Sequence, residues 1–305
     1  VNQATASVDG PTSQSRAVRY AIFAGALILC FSKPLVQWVA FCWNSELYSH
    51  CVLIPFVSAY FVWIRRHKLV LEAKSDLGAA LIPAALGVLP LIWFRAFRPA
   101  DKALAIEDYL ALMIASLLLL LLAGALFFLG RRFLRSMLFA TVFMVFAVPF
   151  PNDLLHLATR FLQLGSADVS ELLLQLSGIT YLRDGTFFAL PGFKMEVAPE
   201  CSGIHSTLAL FISSLAAGYM LLPEWKSRTL LAVAVLPLAL LRNGFRIFTI
   251  AHLCVYVSPE MIHSYIHRRG GPIFFAFSLI PLFLLLLQLR RAGACRKPES
   301  ALAER

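Results

Sequence analysis

Residues 109–130 read YLALMIASLLLLLLAGALFFLG, an unbroken apolar run without a single Asp, Glu, Lys or Arg. A helix crossing a hydrocarbon core of about 30 Å needs roughly 20 such residues, so this stretch alone is long enough to span a bilayer. Working outward from it, seven further apolar windows lie near 17–32, 50–64, 77–94, 133–150, 202–222, 229–256 and 272–289. The composition agrees. Of 305 residues, 59% are hydrophobic and only 14% charged, and the mean hydropathy is +0.76. A water-soluble globule is excluded, and so is a separate soluble catalytic domain, because about eight spans use most of the chain. The expected fold is an all-α polytopic membrane protein of about eight transmembrane helices. It is a single integral membrane domain over 1–305, with an extracytoplasmic insert at 151–200 and cytoplasmic tails at 1–15 and 291–305.

An even number of spans puts both termini on one side, and the distribution of Lys and Arg says which. Sixteen of the 27 basic residues fall on the terminal side, among them Arg65, Arg66, Arg131, Arg132, Arg135, Arg290 and Arg291. Nine fall on the other side, and Arg242 and Arg246 lie within a span. Basic loops stay in the cytoplasm, so both termini are expected there. The formal net charge of +10 is then a topological signal rather than a nucleic-acid footprint, and no nucleic-acid partner is expected. Cys30, Cys42, Cys51, Cys201, Cys254 and Cys295 contain no CxxC spacing, which suggests neither a zinc site nor a disulfide framework. The polar start, Val1 to Ser15, precedes an apolar run too long for a removable signal peptide and without an A-x-A-like site, so none is expected.

The insert between the fifth and sixth windows begins at Pro149-Phe150-Pro151-Asn152-Asp153, a helix stop followed by a cap. From there apolar residues recur at Leu154, Leu157, Ala158, Phe161, Leu162, Val169, Leu172, Leu173 and Leu176. Arg160, Gln163, Asp168, Glu171 and Gln175 stand off that stripe. This predicts an amphipathic helix, lying at the membrane surface, packed among the other helices, or crossing as a ninth span. Short β-prone runs then alternate with Asp184-Gly185 and Pro191-Gly192, which predicts a small meander delivering the chain to Pro199–Gly203 at the outer mouth of the sixth span.

Ionisable groups inside apolar runs are functional by default. Leu230–Leu241 is followed by Arg242-Asn243-Gly244-Phe245-Arg246. Counting from Arg228 at 1.5 Å per residue, Arg246 lies about 27 Å across, near the outer boundary and at the depth expected for Cys201. Each Arg has the alternative of snorkelling or pairing structurally, and for Arg242 the two readings are equally weighted. The next outward loop carries His263 and His267, four residues apart and so on one face of any helix there. Metal binding is the minor reading of that pair, since no HExxH-type carboxylate accompanies it. A thiol, a guanidinium and an imidazole at one depth are sufficient parts for acyl transfer. Positive charge favours the thiolate, imidazole moves the proton, and the guanidinium stabilises an oxyanion.

At these residues the chain resembles the exosortase/archaeosortase family of polytopic membrane transpeptidases. The resemblance rests on Glu200-Cys201-Ser202-Gly203-Ile204 with Ser206, on Asn243-x-x-Arg246-Ile247, on His267-x-x-x-Gly271 with Phe274 and Phe275, and on Tyr48-Ser49-His50 with Leu53-Ile54-Pro55. It implies Cys201 as nucleophile, Arg246 as oxyanion stabiliser and His267 as general acid/base, with His263 as rival. Glu200, Ser202, His205, Arg242, Asn243 and His263, which surround these groups in sequence, are expected to serve substrate binding. The implied partners are membrane-anchored proteins bearing C-terminal sorting tails: a short motif such as Pro-Glu-Pro, an apolar segment and a basic end. The implied product is transferred to an amine acceptor or to water at the outer face of a bacterial inner membrane, with no cofactor and no metal. Three departures stand out: His205 where Arg is common, Cys51 where Gly is usual, and no soluble C-terminal extension. The rival classes are a transporter or flippase for an envelope lipid or polysaccharide, and a non-enzymatic scaffold. A transporter would show internal repeats or polar residues near the midplane of several helices. No clear repeat is present, and the first five spans hold few ionisable groups.

Overall fold

The computed structural model describes residues 13–68, 76–97, 104–263 and 270–302. The chain forms two compact units, Val1–Asn152 and Asp153–Arg305.

The first unit holds α1 (Ser13–Cys30), α2 (Ser32–Asn44), α3 (Ile54–Ile64), α4 (Leu77–Phe97), α5 (Ile106–Phe128), α6 (Gly130–Ser136) and α7 (Leu138–Phe143). Its central element is α5, the stretch quoted above. Helices in an apolar solvent associate through close packing, so small residues sit where backbones approach. A Cβ on Gly87 of α4 would stand 3.1 Å from Leu120 Cγ and 3.2 Å from the Ser116 carbonyl of α5. Gly124 of α5 likewise receives the Phe23 ring of α1 against its backbone. The indole N–H of Trp38 donates to the Ala147 carbonyl at 2.9 Å. Asp108 accepts from the Asn152 backbone N–H at 2.8 Å and from its side-chain amide at 3.3 Å, tying down the chain where the next helix begins.

The second unit opens with α8 (Asn152–Leu176, its first residue belonging to the first unit), then β1 (Leu182–Asp184), β2 (Phe187–Leu190), β3 (Phe193–Glu196), α9 (Ile204–Leu221), α10 (Trp225–Tyr256) and α11 (Gly271–Leu302). The three strands form an antiparallel meander, Leu182 opposite Ala189 and Phe187 opposite Glu196. Its turns are the two dipeptides singled out in the sequence: Gly185 has φ +59° and Gly192 φ +87°, a region that costs other residues steric strain. The sheet shares a core with α8 and α10, in which Ala167, Leu174, Phe188, Leu190, Val197 and Ala251 are buried. A second core joins α9, α10 and α11 through Leu210, Leu231, Val235, Leu282 and Leu286.

Among the described residues five helices are long and apolar enough to cross a membrane, α4, α5, α9, α10 and α11, and up to seven spans result if each of two further helix pairs counts as one. The pairs are α1 with α2, bent by 69°, and Leu138–Ala147 with α8. Seven of the eight apolar windows fall on these helices and on the shorter apolar segment Ser49–Ile64, and window 133–150 only in part. The chain is therefore an all-α polytopic membrane protein with a small sheet. Window 133–150 is the one that breaks up. The basic α6, with Arg131, Arg132 and Arg135, gives way to α7 and a short 3-10 turn, and Pro149 and Pro151 prevent continuation.

The amphipathic helix is present, but its packed face differs from its most apolar one. Leu154, Leu157, Phe161, Leu172 and Leu176 are exposed, whereas the buried residues are Leu162, Ser166, Ala167, Ser170 and Leu174. The cause is contact with α10 at backbone range. A Cβ on Gly244 would come within 2.5 Å of Val169 Cγ1 and 3.1 Å of the Ser166 carbonyl, and one on Gly165 within 2.9 Å of Leu240 Cδ2. Only small side chains fit such a seam, and the larger apolar ones are displaced to the outside.

Candidate functional site

Pro199-Glu200-Cys201 forms a single 3-10 turn, with the Cys201 N–H donating to the Ala198 carbonyl at 2.8 Å and the Ser202 N–H to the Pro199 carbonyl at 3.1 Å. The chain then reverses at Gly203, whose φ of +74° is left-handed, and α9 starts at Ile204. Two independent constraints require glycine there. The first is the backbone angle. The second is space: a Cβ would lie 3.1 Å from Arg242 Nη2 and 3.2 Å from both Cγ and Oδ1 of Asn243. Half-buried Cys201 is thus held immediately before a helix N-terminus, where unpaired N–H groups and the aligned peptide dipoles favour negative charge.

The Gly203 carbonyl gathers donors. It accepts from the Thr207 N–H at 2.9 Å, Thr207 Oγ1 at 2.8 Å, Ser206 Oγ at 3.0 Å and Arg242 Nη2 at 3.4 Å. Arg242 is 9% exposed, its Nη2 also lies 3.4 Å from Thr207 Oγ1, and its Nη1 is buried without a hydrogen-bond partner among the described residues. Among the described residues its partners are the neutral oxygens of Gly203 and Thr207, which supply no compensating negative charge. Arg246 follows one turn later and is half-buried. Residues four apart share a helix face, so α10 presents both guanidiniums on one side.

Between the two arginines, Asn243 connects three segments. It is 4% exposed, and its amide nitrogen donates to the Cys201 carbonyl at 2.8 Å and to Ser166 Oγ of α8 at 3.0 Å. Ser170, one turn further along α8, donates to the Gly244 carbonyl at 3.0 Å and to the Ser166 carbonyl at 2.8 Å. Gln163 of the same helix donates to the Val197 carbonyl at 2.8 Å, which anchors the strand leading into the Cys201 turn.

Of the residues singled out in the sequence, Cys201, Ser202, Arg242 and Asn243 come together around the start of α9. Ser202 is 1% exposed, with its hydroxyl 3.4 Å from the Ile204 N–H. His205 is exposed on the first turn of α9. Glu200 lies in the 3-10 turn and His263 closes the turn Pro259–His263, and the side chains of both are outside the described residues. His267 lies outside the described residues altogether. Tyr48, Ser49 and His50 belong to the first unit. Among the described residues no group of three or more His, Cys, Asp or Glu is placed to hold a metal. Ser166 and Thr207 were not singled out by the sequence. The available signal for Ser166 was Gly165-Ser166-Ala167 with Ser170 one turn on, a small-residue stretch in a helix of otherwise large side chains.

The family model described as Transmembrane exosortase (Exosortase_EpsH) matches residues 42–284. Comparison with curated proteins and with solved structures gives no match.

Proposed function

The chain belongs to the transmembrane exosortase family, and from that premise we propose that it cleaves C-terminal sorting tails of membrane-anchored proteins through a thioester on Cys201. Membership supports a membrane transpeptidase or protease in general. The finer reading is supported by one observation above all: the Cys201 carbonyl is clamped by Asn243 of α10, the helix that also carries Arg246. The match between Asn243-x-x-Arg246 and the Cys201 turn is thereby a spatial pairing as well as a pair of motifs.

In the proposed mechanism the His267 imidazole takes the Cys201 proton and the sulfur attacks the carbonyl carbon of the scissile peptide. Arg246 stabilises the oxyanion as it forms, and Arg242, one turn deeper, raises the local positive potential. Collapse breaks the C–N bond. The departing amine of the tail receives the proton from the imidazole and leaves the acyl group on sulfur. An amine acceptor, or water, then attacks the thioester and regenerates the thiol. The proposed setting is the outer face of a bacterial inner membrane with both termini in the cytoplasm, supported by the excess of Lys and Arg on the terminal side.

Mass spectrometry of a tailed protein co-expressed with the full chain tests this. A processed C-terminus carrying an added amine group indicates transfer, and a plain carboxylate indicates hydrolysis. Unchanged processing with Cys201→Ala would reject the thiol chemistry and favour a transporter or scaffold.

A further inference from the structure

The Cys201 carbonyl can only accept a hydrogen bond, so the side-chain amide of Asn243 must turn its nitrogen toward it. That choice fixes the amide as a two-proton donor, one proton to the Cys201 carbonyl and the other to Ser166 Oγ. An Asn side chain held by one bond rotates about a soft, broad torsion, whereas two bonds in different directions fix the amide plane. The second anchor is supplied by a helix remote in sequence: Ser166 lies 77 residues before Asn243 and is fully buried. It is itself held where it is by the backbone contact of α8 with Gly244.

We propose that Ser166 is a positioning residue for the Cys201 nucleophile, acting through Asn243. The link from Ser166 to the Cys201 turn runs through the Asn243 amide. It sets the plane of the Asn243 amide, the amide sets the Cys201 carbonyl, and the carbonyl sets the direction in which the Cβ–Sγ bond leaves the turn before α9. Displacements well under 1 Å in a reacting group are enough to lower turnover, because the attacking atom must sit close to its target in a near-attack geometry. The role rests on the proposed reading of Cys201 as nucleophile. Ser170 is the internal comparison. It lies on the same face of α8, is equally buried, and spends its hydroxyl on the Ser166 and Gly244 carbonyls rather than on Asn243.

The test uses the full chain in detergent, with two readouts. One is cleavage of a fluorogenic peptide bearing Pro-Glu-Pro, an apolar segment and a basic end. The other is the rate of iodoacetamide alkylation at Cys201, followed by mass spectrometry of that peptide and independent of any substrate. Ser166→Ala is expected to lower kcat and the alkylation rate by about two- to tenfold, the loss of one hydrogen bond, with KM unchanged. Ser170→Ala leaves both near wild type, and Ser166→Ala adds nothing in an Asn243→Ala background. Equal effects of Ser166→Ala and Ser170→Ala, or additive effects of Ser166→Ala and Asn243→Ala, would overturn the proposal, since a packing role predicts both. Continued cleavage by Cys201→Ala would instead remove the nucleophile reading, and the alkylation arm would still decide whether Ser166 governs the Cys201 turn.

Discussion

Two polar corners of the second unit use arginine in opposite ways. At the sheet, Arg183 is fully matched: it pairs with Asp168 at 2.7 Å and Glu171 at 2.5 Å, and its Nε donates to the Gly185 carbonyl at 2.8 Å. Tyr181 donates to the other oxygen of Glu171 at 2.9 Å. Partial burial alone would lower the Arg183 pKa, but its bonds to Asp168 and Glu171 outweigh that and hold it above its ordinary value. At the start of α9, Arg242 is more deeply buried, and among the described residues it meets the Gly203 carbonyl and the Thr207 hydroxyl and has one nitrogen left over. A cation satisfied by carboxylates contributes to the fold. A cation held by neutral oxygens leaves a potential for something else to use. The difference sets a scaffold corner apart from the candidate site within a single unit.

That separation can be broken at four points. The largest expected effect is at Cys201→Ala, which should reduce tail cleavage by on the order of 10³-fold or more with an unchanged thermal midpoint. Residual activity within tenfold of wild type, measured on purified protein, would merge the two corners again. Gly203→Ala comes next. Forcing a side chain into the left-handed region, against Arg242 and Asn243, costs about 1–3 kcal/mol and should lower turnover as well, seen as a drop in both thermal midpoint and kcat. Asn243→Asp keeps the shape of the amide but sets a carboxylate oxygen against the Cys201 carbonyl. It should impair cleavage at least as severely as Asn243→Ala, and a milder effect of Asp would contradict the hydrogen-bond assignment. The smallest effect belongs to Asp168→Asn. Its side chain is 68% exposed, so the loss should be under about 1 kcal/mol, visible in a denaturation midpoint and absent from kcat/KM.

How much of this was legible depended on the distance over which each feature is determined. The meander was readable because Asp184-Gly185 and Pro191-Gly192 encode their turns within two residues, and the strands fall between them as expected. The apolar windows were readable because bilayer thickness fixes a length. The orientation of α8 was not. The stripe of Leu154, Leu157, Phe161, Leu172 and Leu176 marks α8 as amphipathic but does not say which face meets other helices, since an apolar face can equally meet lipid. Here the seam with α10 selects Gly165, Ser166, Ala167 and Ser170 by size, and the large apolar side chains face outward. At the candidate site, Arg242 and Asn243 were found in sequence because they interrupt an apolar run, and Cys201 because it stands in a family-like motif at the mouth of one. Ser166 was not, because a buried serine becomes informative only once Asn243 is seen to reach it across 77 positions.

The meeting of α8 and α10 through Gly244, Val169 and the Ser166 carbonyl has a mechanical consequence. Contact at that range couples the two helices, so a displacement of α8 would be passed to α10 and to the Arg242 and Arg246 side chains it carries. Under the proposed function, a tail would reach Cys201 by parting a seam other than that between α8 and α10. Cross-linking α8 to α10 should therefore leave entry unhindered.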